Sequence, residues 1–285
     1  MNNRAGAARM KPLLVTGALI GDTFREALAR KIFWGFFGCS TALILFFVFI
    51  LRIDVVQGAV ATVSLFGSST RSLDVQRLVR QAHAAIAAFL YTAGMFLAVF
   101  ASAGLSSSVF EPGRIELLLS KPVRRYQILL GRYVGTTLVI AANIFYLVLA
   151  VWLIFGWKTG VWTFGFLWSS ALTVFVFAVL LAVVVLVAVL WESAVVATMV
   201  TFGLILISPI LAQQRVLERL LSSEWSRTLV RTLYYTLPKV FDLGRMVRSL
   251  VLGNPAGDWM PLWTSAIFGA VVLAFGLIAF EKRNY

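Results

Sequence analysis

The feature that most constrains this chain is a run from residue 163 to residue 191 without a charged side chain. About 20 residues of apolar helix cross the hydrocarbon core of a bilayer, so this run is long enough to span one. Five further apolar stretches of similar length lie elsewhere in the sequence. Hydrophobic residues make up 60% of the chain and its mean hydropathy is +0.91, more than a water-soluble domain needs for its core. The sequence therefore predicts an integral membrane protein.

We predict an all-α integral membrane protein with six transmembrane helices in a single domain, residues 1–285. The helices are expected at 32–51, 84–109, 133–156, 164–190, 194–211 and 259–280. An even number of spans places both termini on the same side of the membrane. The positive-inside rule does not choose that side, because Lys and Arg are frequent in 1–31 and 110–132 and also in 212–258, which must lie opposite.

The segments between spans contain charge but no recognisable catalytic motif. Residues 52–83 mix Gly, Ser and Thr, with a short helix expected around 72–81, and 212–258 is predicted as an outer segment of amphipathic helices. The net charge of +13 is explained by Lys and Arg beside the spans, which suit anionic lipid headgroups. We therefore predict membrane lipids, and no nucleic acid, as partners.

Residues 16–31 have the periodicity of an amphipathic helix. One side carries Leu19, Ile20, Phe24, Ala27 and Leu28, and the other carries Asp22, Arg25, Glu26 and Arg30. Glu26 precedes Arg30 by one helical turn, an order that favours a surface ion pair. Its place before the first span predicts a helix lying in the membrane interface; the alternative is a solvent-exposed helical extension.

The six predicted spans contain no ionisable side chain, whereas ion-coupled carriers usually keep such groups in the membrane. One histidine, His83, and one cysteine, Cys39, cannot form a typical zinc site. No G-x-x-x-x-G-K-[ST] loop is present to hold a nucleotide. We therefore expect no catalytic residues, no metal and no directly bound cofactor, and predict that the chain is not an enzyme.

Two polar or small-residue features lie within the third predicted span or at its edge. Asn143 is near the middle of that span, where an amide needs a hydrogen-bond partner, and helix packing is the favoured interpretation. Gly131 and Gly135 form a G-x-x-x-G motif, which indicates close helix packing and is one weak sign of a dimer.

The segment 110–132, "FEPGRIELLLSKPVRRYQILLGR", interrupts the apolar sequence with a short helix between two prolines. Pro112 and Gly113 end the preceding span, and Pro122 disfavours helix at the residue before it. The piece between them has about two turns, roughly 10 Å, so it cannot span. The residues expected on its apolar face are Ile115, Leu118 and Leu119, surrounded by Arg114, Glu116 and Lys121. An apolar knob ringed by charge suits docking into a groove on another protein; the alternative is a re-entrant or interfacial linker.

This segment resembles the cytoplasmic loop between the second and third spans of ABC-2 type transporter permeases. The matching residues are Glu111, Gly113, Leu117, Leu118, Leu119, Ser120, Pro122, Val123, Arg125, Leu130 and Gly131. The resemblance extends to "FREALARKIFW" before the first span, "LYYTLPKVFDLG" before the last span and the basic tail "EKRNY". The chain departs from the pattern at Arg114, where many members have a small or hydroxyl residue, so the start of the short helix is open.

The resemblance implies a membrane-spanning permease subunit of an ATP-driven transporter, an exporter in our interpretation. It implies a homodimer or a pair with a second permease subunit, bound to a separate ATPase subunit that would hold ATP and Mg²⁺. It places the protein in a bacterial plasma membrane with both termini cytoplasmic. The residues expected in this coupling loop to contact or orient the ATPase are Glu111, Gly113, Arg114, Ile115, Glu116, Leu118, Leu119, Pro122, Arg124 and Arg125. The alternative function is a membrane subunit of the same kind that transmits force, or assists maturation of an exported enzyme, without moving a solute.

Overall fold

A computed structural model of the chain describes residues 12–29, 31–49, 52–56, 60–65, 68–108, 125–221, 223–255 and 257–283. The first half contains α1 (Pro12–Ala29), α2 (Lys31–Phe49), β1 (Arg52–Val56), β2 (Val60–Leu65), β3 (Ser68–Asp74), α3 (Val75–Phe89), a π-helical turn (Leu90–Gly94) and α4 (Met95–Ser107). The second half contains α5 (Arg125–Thr159), α6 (Phe164–Trp191), α7 (Ala194–Leu211), α8 (Gln214–Leu220), α9 (Glu224–Thr236), α10 (Val240–Leu252) and α11 (Met260–Lys282).

Within the described residues, five helices are long and apolar enough to cross a membrane. They are Val75–Ser107, which joins α3, the π-helical turn and α4, and the helices α5, α6, α7 and α11. The pair α1 and α2 is bent by 70°, and the number of spans becomes six if this pair counts as one. The membrane-crossing part is helical, as predicted.

Two of these helices begin earlier than the apolar sequence indicates. The second predicted span, 84–109, is part of a helix that starts at Val75, and the third, 133–156, is part of a helix that starts at Arg125. At 33 and 35 residues, each is about 50 Å long, well beyond the roughly 30 Å of the hydrocarbon core. Hydropathy locates only the apolar middle: the charged start of α5 was missed, and the charged start of α3 was predicted only as a separate short helix around 72–81.

A small antiparallel sheet lies between α2 and α3, where we predicted no strand; the short helix expected around 72–81 is confirmed from Val75 onward, as the start of α3. Its strand order is β1-β2-β3, and Ile53 lies opposite Val63 in the first pair. The register of the second pair shifts between Ala61 and Val63. Strands this short, in a segment of mixed Gly, Ser and Thr, gave no alternating apolar signal long enough to identify.

The uncharged helix α6 forms the centre of the bundle. Of its most apolar window, 78% is buried, against 22% to 44% for the other four spans. Phe166, Phe177 and Leu180 are fully buried. A helix that is apolar all round has no face suited to water or to specific polar contact, and burial on every side is the expected outcome. The other spans pack around α6 and thereby take their relative positions.

The outer segment 212–258 contains two kinds of helix. None of the described residues of α8 and α9 is buried, whereas Leu243, Val247 and Val251 of α10 are buried in the bundle. A Cβ at Gly165, at the start of α6, would lie 2.1 Å from the Leu250 carbonyl oxygen. Only glycine permits this approach, which holds α10 against α6.

Candidate functional site

Of the coupling loop, residues 125–132 are described and residues 110–124 are not. Of its expected contact residues, Arg125 is described, while Glu111, Gly113, Arg114, Ile115, Glu116, Leu118, Leu119, Pro122 and Arg124 lie outside the described residues. The preceding helix reaches Ser108, which is buried, and the chain is described again from the first residue of α5. The geometry of these two ends defines what holds the loop.

At the first end, a buried ion pair joins three elements. Arg132 Nη1 lies 2.6 Å from Glu26 Oε2, and the two side chains are only 6% and 12% exposed. Ser108 Oγ donates a hydrogen bond to Glu26 Oε1 at 2.9 Å. Arg132 also donates to the Leu105 carbonyl at 3.1 Å and to Ser108 Oγ at 3.2 Å. We call Glu26, Ser108 and Arg132 the Glu26 cluster; it fastens α1 to the end of α4 and to α5.

Because the Glu26 cluster is buried, its charged groups need partners to offset the cost of their removal from water. An ionised group removed from water is costly unless it is both paired and hydrogen-bonded, and here the carboxylate and the guanidinium have both kinds of partner. The expected pair of Glu26 with Arg30 includes a residue outside the described part of the chain. Glu26 instead forms an ion pair with Arg132, which is distant in sequence and was not predicted.

The G-x-x-x-G motif explains how α1 comes close enough for this pairing. A Cβ at Gly131 would lie 2.7 Å from Leu19 Cβ, and one at Gly135 would lie 2.7 Å from Thr23 Cβ. These distances are too short for real side chains, so both glycines make room for α1 of the same chain. The motif therefore provides no support for a dimer.

The remaining predicted residues of α1 separate into two stripes. Thr23 and Ala27 are buried with the side that packs on α5, although Thr23 was not in the predicted apolar set. Phe24 and Leu28 are exposed apolar side chains. Ile20 is half-buried, Arg25 is exposed, and Arg30 lies outside the described residues. An apolar stripe thus remains uncovered by the described chain.

At the second end, Arg125 is held by the C-terminal tail. Its guanidinium donates to the backbone carbonyl of Arg283. Arg283 in turn pairs with Glu192 Oε1 at 3.0 Å and donates to the Val189 carbonyl. Glu192 occupies the turn between α6 and α7 with a left-handed φ of 52°. We call Arg125, Glu192 and Arg283 the Arg283 clasp; its ion pair is 37% and 42% exposed, so it is much weaker than the buried pair.

A third polar group lies at the opposite end of the bundle, around Lys239. This residue is only 3% exposed, and its Nζ lies 4.4 Å and 4.9 Å from the ring centroids of Tyr234 and Tyr235. Tyr234 donates its hydroxyl hydrogen to Asp242 Oδ2 at 3.0 Å. Burial lowers the pKa of the Lys239 ammonium, while burial and the nearby Asp242 carboxylate raise the pKa of Tyr234 to about 12.

Backbone groups join this Lys239 node to the spans. The Lys239 amide donates to Ser265 Oγ of α11 at 3.0 Å, and the Phe241 amide donates to Ser208 Oγ of α7 at 2.9 Å. Tyr91, in the π-helical turn, donates to the Val240 carbonyl. The segment "LYYTLPKVFDLG" was predicted only to resemble the family's outer segment, and no polar node was expected in it. A lysine and an aspartate three residues apart beside two tyrosines were the signal that could have identified the node.

Among the described residues, no group of three or more His, Cys, Asp or Glu side chains could hold a metal ion. His83 is fully buried, with Nδ1 2.7 Å from Thr163 Oγ1. Its ring stacks on Phe166 at 4.3 Å and tilts against Phe155 at 4.7 Å. This surrounding is that of a packed core residue.

The bundle of apolar helices agrees with a comparison to known families. Residues 18–285 match the family described as ABC-2 family transporter protein. The chain belongs to this family. The match begins within α1 of this ABC-2 permease. It therefore includes the Glu26 cluster and all the candidate spans. No curated protein matches the chain. Members of the family are membrane subunits that work with an ABC ATPase subunit.

Proposed function

We propose that this ABC-2 permease is the membrane-spanning subunit of an ATP-driven exporter, with two copies forming the path and a separate ATPase bound at the coupling loop. The observation that carries the proposal is the fastening of both loop ends. The Glu26 cluster holds the first end on α1 and α5, and the Arg283 clasp holds the second end on the turn between α6 and α7. A displacement of the loop is therefore passed to several spans at once.

The ATPase would hold ATP and Mg²⁺, and its closure would displace the short helix at 114–120 as a lever. Ile115, Leu118 and Leu119 would make the apolar contacts. Glu111, Glu116, Arg124 and Arg125 would form the polar rim, and Gly113, Arg114 and Pro122 would set the ends of the helix. A buried ion pair transmits such a displacement well, because separating its charges in a low dielectric is costly.

The placement of α1 in the inner membrane interface belongs to the same proposal. Its exposed Phe24 and Leu28 would face lipid acyl chains while Asp22 and Arg25, also exposed, face water. Exposed tryptophans support the position of the bundle: Trp34 and Trp191 are at the loop end, and Trp157, Trp168 and Trp263 are at the opposite end. Tryptophan prefers both membrane interfaces. With the ATPase in the cytoplasm, both termini are cytoplasmic and the membrane is the bacterial plasma membrane.

The first test is affinity purification of the tagged full chain from its native membrane in mild detergent. We expect a stoichiometric soluble protein with a Walker nucleotide site, identified by mass spectrometry. Leu118→Asp should abolish its recovery, because a charge would enter the apolar contact. The matched control is Leu117→Asp, since helical spacing places Leu117 on a different face. Equal recovery in both variants would contradict docking through this face.

The second test separates export from force transmission. The purified complex, reconstituted in sealed vesicles with ATP, should change the amount of an amphipathic compound inside the vesicles. ATP hydrolysis without any solute moved would contradict export and favour the force-transmitting alternative.

A further inference from the structure

The helices α8 and α9 form a hairpin that follows the end of α7. Arg231 of α9 donates two hydrogen bonds to Glu218 of α8, at 3.1 Å and 3.3 Å. Arg227 Nε donates to the Leu221 carbonyl, between the two helices, at 2.8 Å. None of the described residues of α8 and α9 is buried in the bundle. This α8–α9 hairpin is therefore held together by its own contacts and leaves its outer surface open to the surroundings.

The length of α7 fixes the level of the hairpin in the membrane. This helix starts beside Glu192, at the same end of the bundle as the coupling loop, and its 18 residues extend about 27 Å. The hydrocarbon core is about 30 Å thick, so Leu211 lies close to the opposite edge of the core. The chain returns at the same level, because the Phe241 amide donates to Ser208 Oγ, one turn before Leu211. The hairpin therefore begins and ends where hydrocarbon meets headgroups.

Exposed apolar side chains continue from the end of α7 into the hairpin. They occur as three pairs, and the two members of each pair are one helical turn apart and share a face. The pairs are Leu206 and Ile210 of α7, Val216 and Leu220 of α8, and Trp225 and Leu229 of α9. The side chains of Leu220 and Trp225 are 73% and 74% exposed. Tryptophan prefers the membrane interface, so acyl chains are the surroundings that suit these faces at this level.

Two arginines lie beside the apolar row of α8. Arg215 and Arg219 are exposed and one helical turn apart, and each directly precedes a member of the exposed apolar pair. Neither has an ion-pair partner among the described residues. Glu218, the acidic residue of α8, pairs instead with Arg231. The open face of α8 thus has a row of two free guanidinium groups next to a row of two apolar side chains.

The level and the charge of these arginines select the partner. Arg215 and Arg219 are four and eight residues beyond Leu211, so they lie within about 6 and 12 Å of the end of α7. The headgroup layer is about 5–7 Å thick on each side of the core, so both guanidinium groups reach its phosphates. A guanidinium binds phosphate through two parallel hydrogen bonds. The hairpin contains four arginines and two glutamates, a formal charge of +2, which favours a headgroup of net negative charge.

We propose that the α8–α9 hairpin is a binding site for anionic phospholipid. Arg215 and Arg219 bind the headgroup phosphate, and Val216, Leu220 and Trp225 pack on the acyl chains. The site explains why arginines are frequent in 212–258, on the side of the membrane where the positive-inside rule does not expect them. The leaflet is the outer one, and only this part of the inference rests on the orientation in the proposed function. The lipid preference requires no nucleotide, ATPase or second copy.

The test measures lipid preference by fluorescence quenching in vesicles that hold the full chain. Cys39→Ser together with Leu220→Cys leaves one thiol on the open face of α8, which is labelled with bimane. The vesicles are phosphatidylcholine with a rising fraction of phosphatidylglycerol or phosphatidylcholine brominated on the acyl chains, and bromine quenches only a label that it contacts. We expect phosphatidylglycerol to bind about three- to tenfold more tightly than phosphatidylcholine. This preference should fall when salt is raised from about 0.1 M to about 1 M.

Variants of the two arginines identify the site. Arg215→Gln/Arg219→Gln should reduce the preference to about one, while Arg215→Lys/Arg219→Lys keeps the charge and should retain most of it. The matched control is Arg248→Gln, an exposed arginine of α10, which should retain the wild-type preference. Equal binding of the two lipids in the wild type, or a preference that survives the double glutamine change, would overturn the proposal. Absence of quenching by either lipid would also overturn it, because the hairpin would then face water or another protein.

A separate experiment assigns the leaflet. Ser223 is exposed between α8 and α9, so Ser223→Cys in the Cys39→Ser chain provides a thiol at the tip of the hairpin. A membrane-impermeant maleimide should label it in intact spheroplasts. Labelling only after lysis would overturn the outer-leaflet assignment and the orientation in the proposed function together. Labelling from outside without a lipid preference in the vesicles would overturn the lipid site alone, so the two failures are distinguishable.

Discussion

Arg132 and Glu26 form an ion pair of 2.6 Å where the polar end of α5 meets α1. The two residues lie on different helices, and Ser108 bridges them to the end of α4. The Glu26 cluster thus holds one end of the coupling loop, and the Arg283 clasp holds the other. The network relates the loop to the rest of the permease through named contacts that mutations can separate.

Removing one partner of the buried pair should destabilise the protein strongly. Arg132→Met removes this ion pair from the Glu26 carboxylate, whose side chain is only 12% exposed, and we expect a cost of about 3–5 kcal/mol. The double variant Glu26→Leu/Arg132→Met should lose less than Arg132→Met alone. The measurement is the free energy of unfolding in mixed micelles. Arg25→Met, at an exposed position beside the cluster, should change stability by less than about 0.5 kcal/mol. An additive double variant would show that the two charges do not interact.

Gly135→Leu should detach α1 from α5, because even a Cβ there would lie 2.7 Å from Thr23 Cβ. We expect a destabilisation of about 1–3 kcal/mol and faster proteolysis within α1. The control is Gly203→Leu on α7, where a Cβ would meet nothing within 4 Å. A change in oligomeric state, with α1 still protected from the protease, would instead assign the motif to an interface between chains.

The Arg283 clasp should affect coupling more than stability. Its ion pair is partly exposed, and such pairs contribute about 0–1 kcal/mol, so Arg283→Ala should unfold at nearly the wild-type temperature. Contacts between sites typically couple them by about 0.5–2 kcal/mol, and we expect the ATPase activity stimulated by the permease to fall about two- to tenfold. Lys282→Ala changes the neighbouring exposed charge and should leave this activity intact. Equal effects of the two variants would indicate a general charge requirement.

We expect the ionisation of Tyr234 to make the stability of the folded protein depend on pH in the alkaline range. Its pKa is raised to about 12 in the folded protein, by burial and by Asp242, against about 10 in the unfolded chain. The folded state therefore holds the phenol proton longer, and the stabilisation present below pH 10 is lost as the pH rises from about 10 to 12.

The corresponding variant is Tyr234→Phe. It should be less stable than wild type by about 1 kcal/mol near pH 8, because the hydrogen bond to Asp242 is absent, and it should lose stability less steeply above pH 10. Tyr235→Phe, with half of its side chain exposed, is the control and should follow the wild-type curve. The thermal midpoint between pH 8 and pH 12 provides the comparison; parallel curves for wild type and Tyr234→Phe would contradict the assignment.

The sequence predicted the helical spans well because apolar run length is a property of each segment by itself. The predictions were less accurate at the charged ends of helices: Arg77 and Arg80 lie in the short helix predicted around 72–81, but its continuity with the second span was not predicted, because their charges interrupt the apolar run. The central position of α6 could have been predicted. It is the one long run with no polar face, and burial on all sides follows from that composition.

The candidate site was less accessible from sequence. Glu26 had a local partner in Arg30 at a favourable spacing, so nothing favoured the distant Arg132. Gly131 and Gly135 did indicate close packing, but a motif cannot say which helix approaches it. Asn143 was correctly identified as an amide that needs a partner; its pairing with Ser40 depends on how α2 lies against α5.

The burial of α6 also has a consequence for biogenesis. Its neighbour α11, which lies close to it at Gly269 and Gly276, is the last helix of the described chain. Before α11 has been synthesised, Val179 and Leu186 of α6 face lipid at the positions where α11 later packs. The bundle is therefore completed only after α11 has been synthesised, and a nascent chain stopped before residue 260 would present its central helix to quality-control proteases of the membrane.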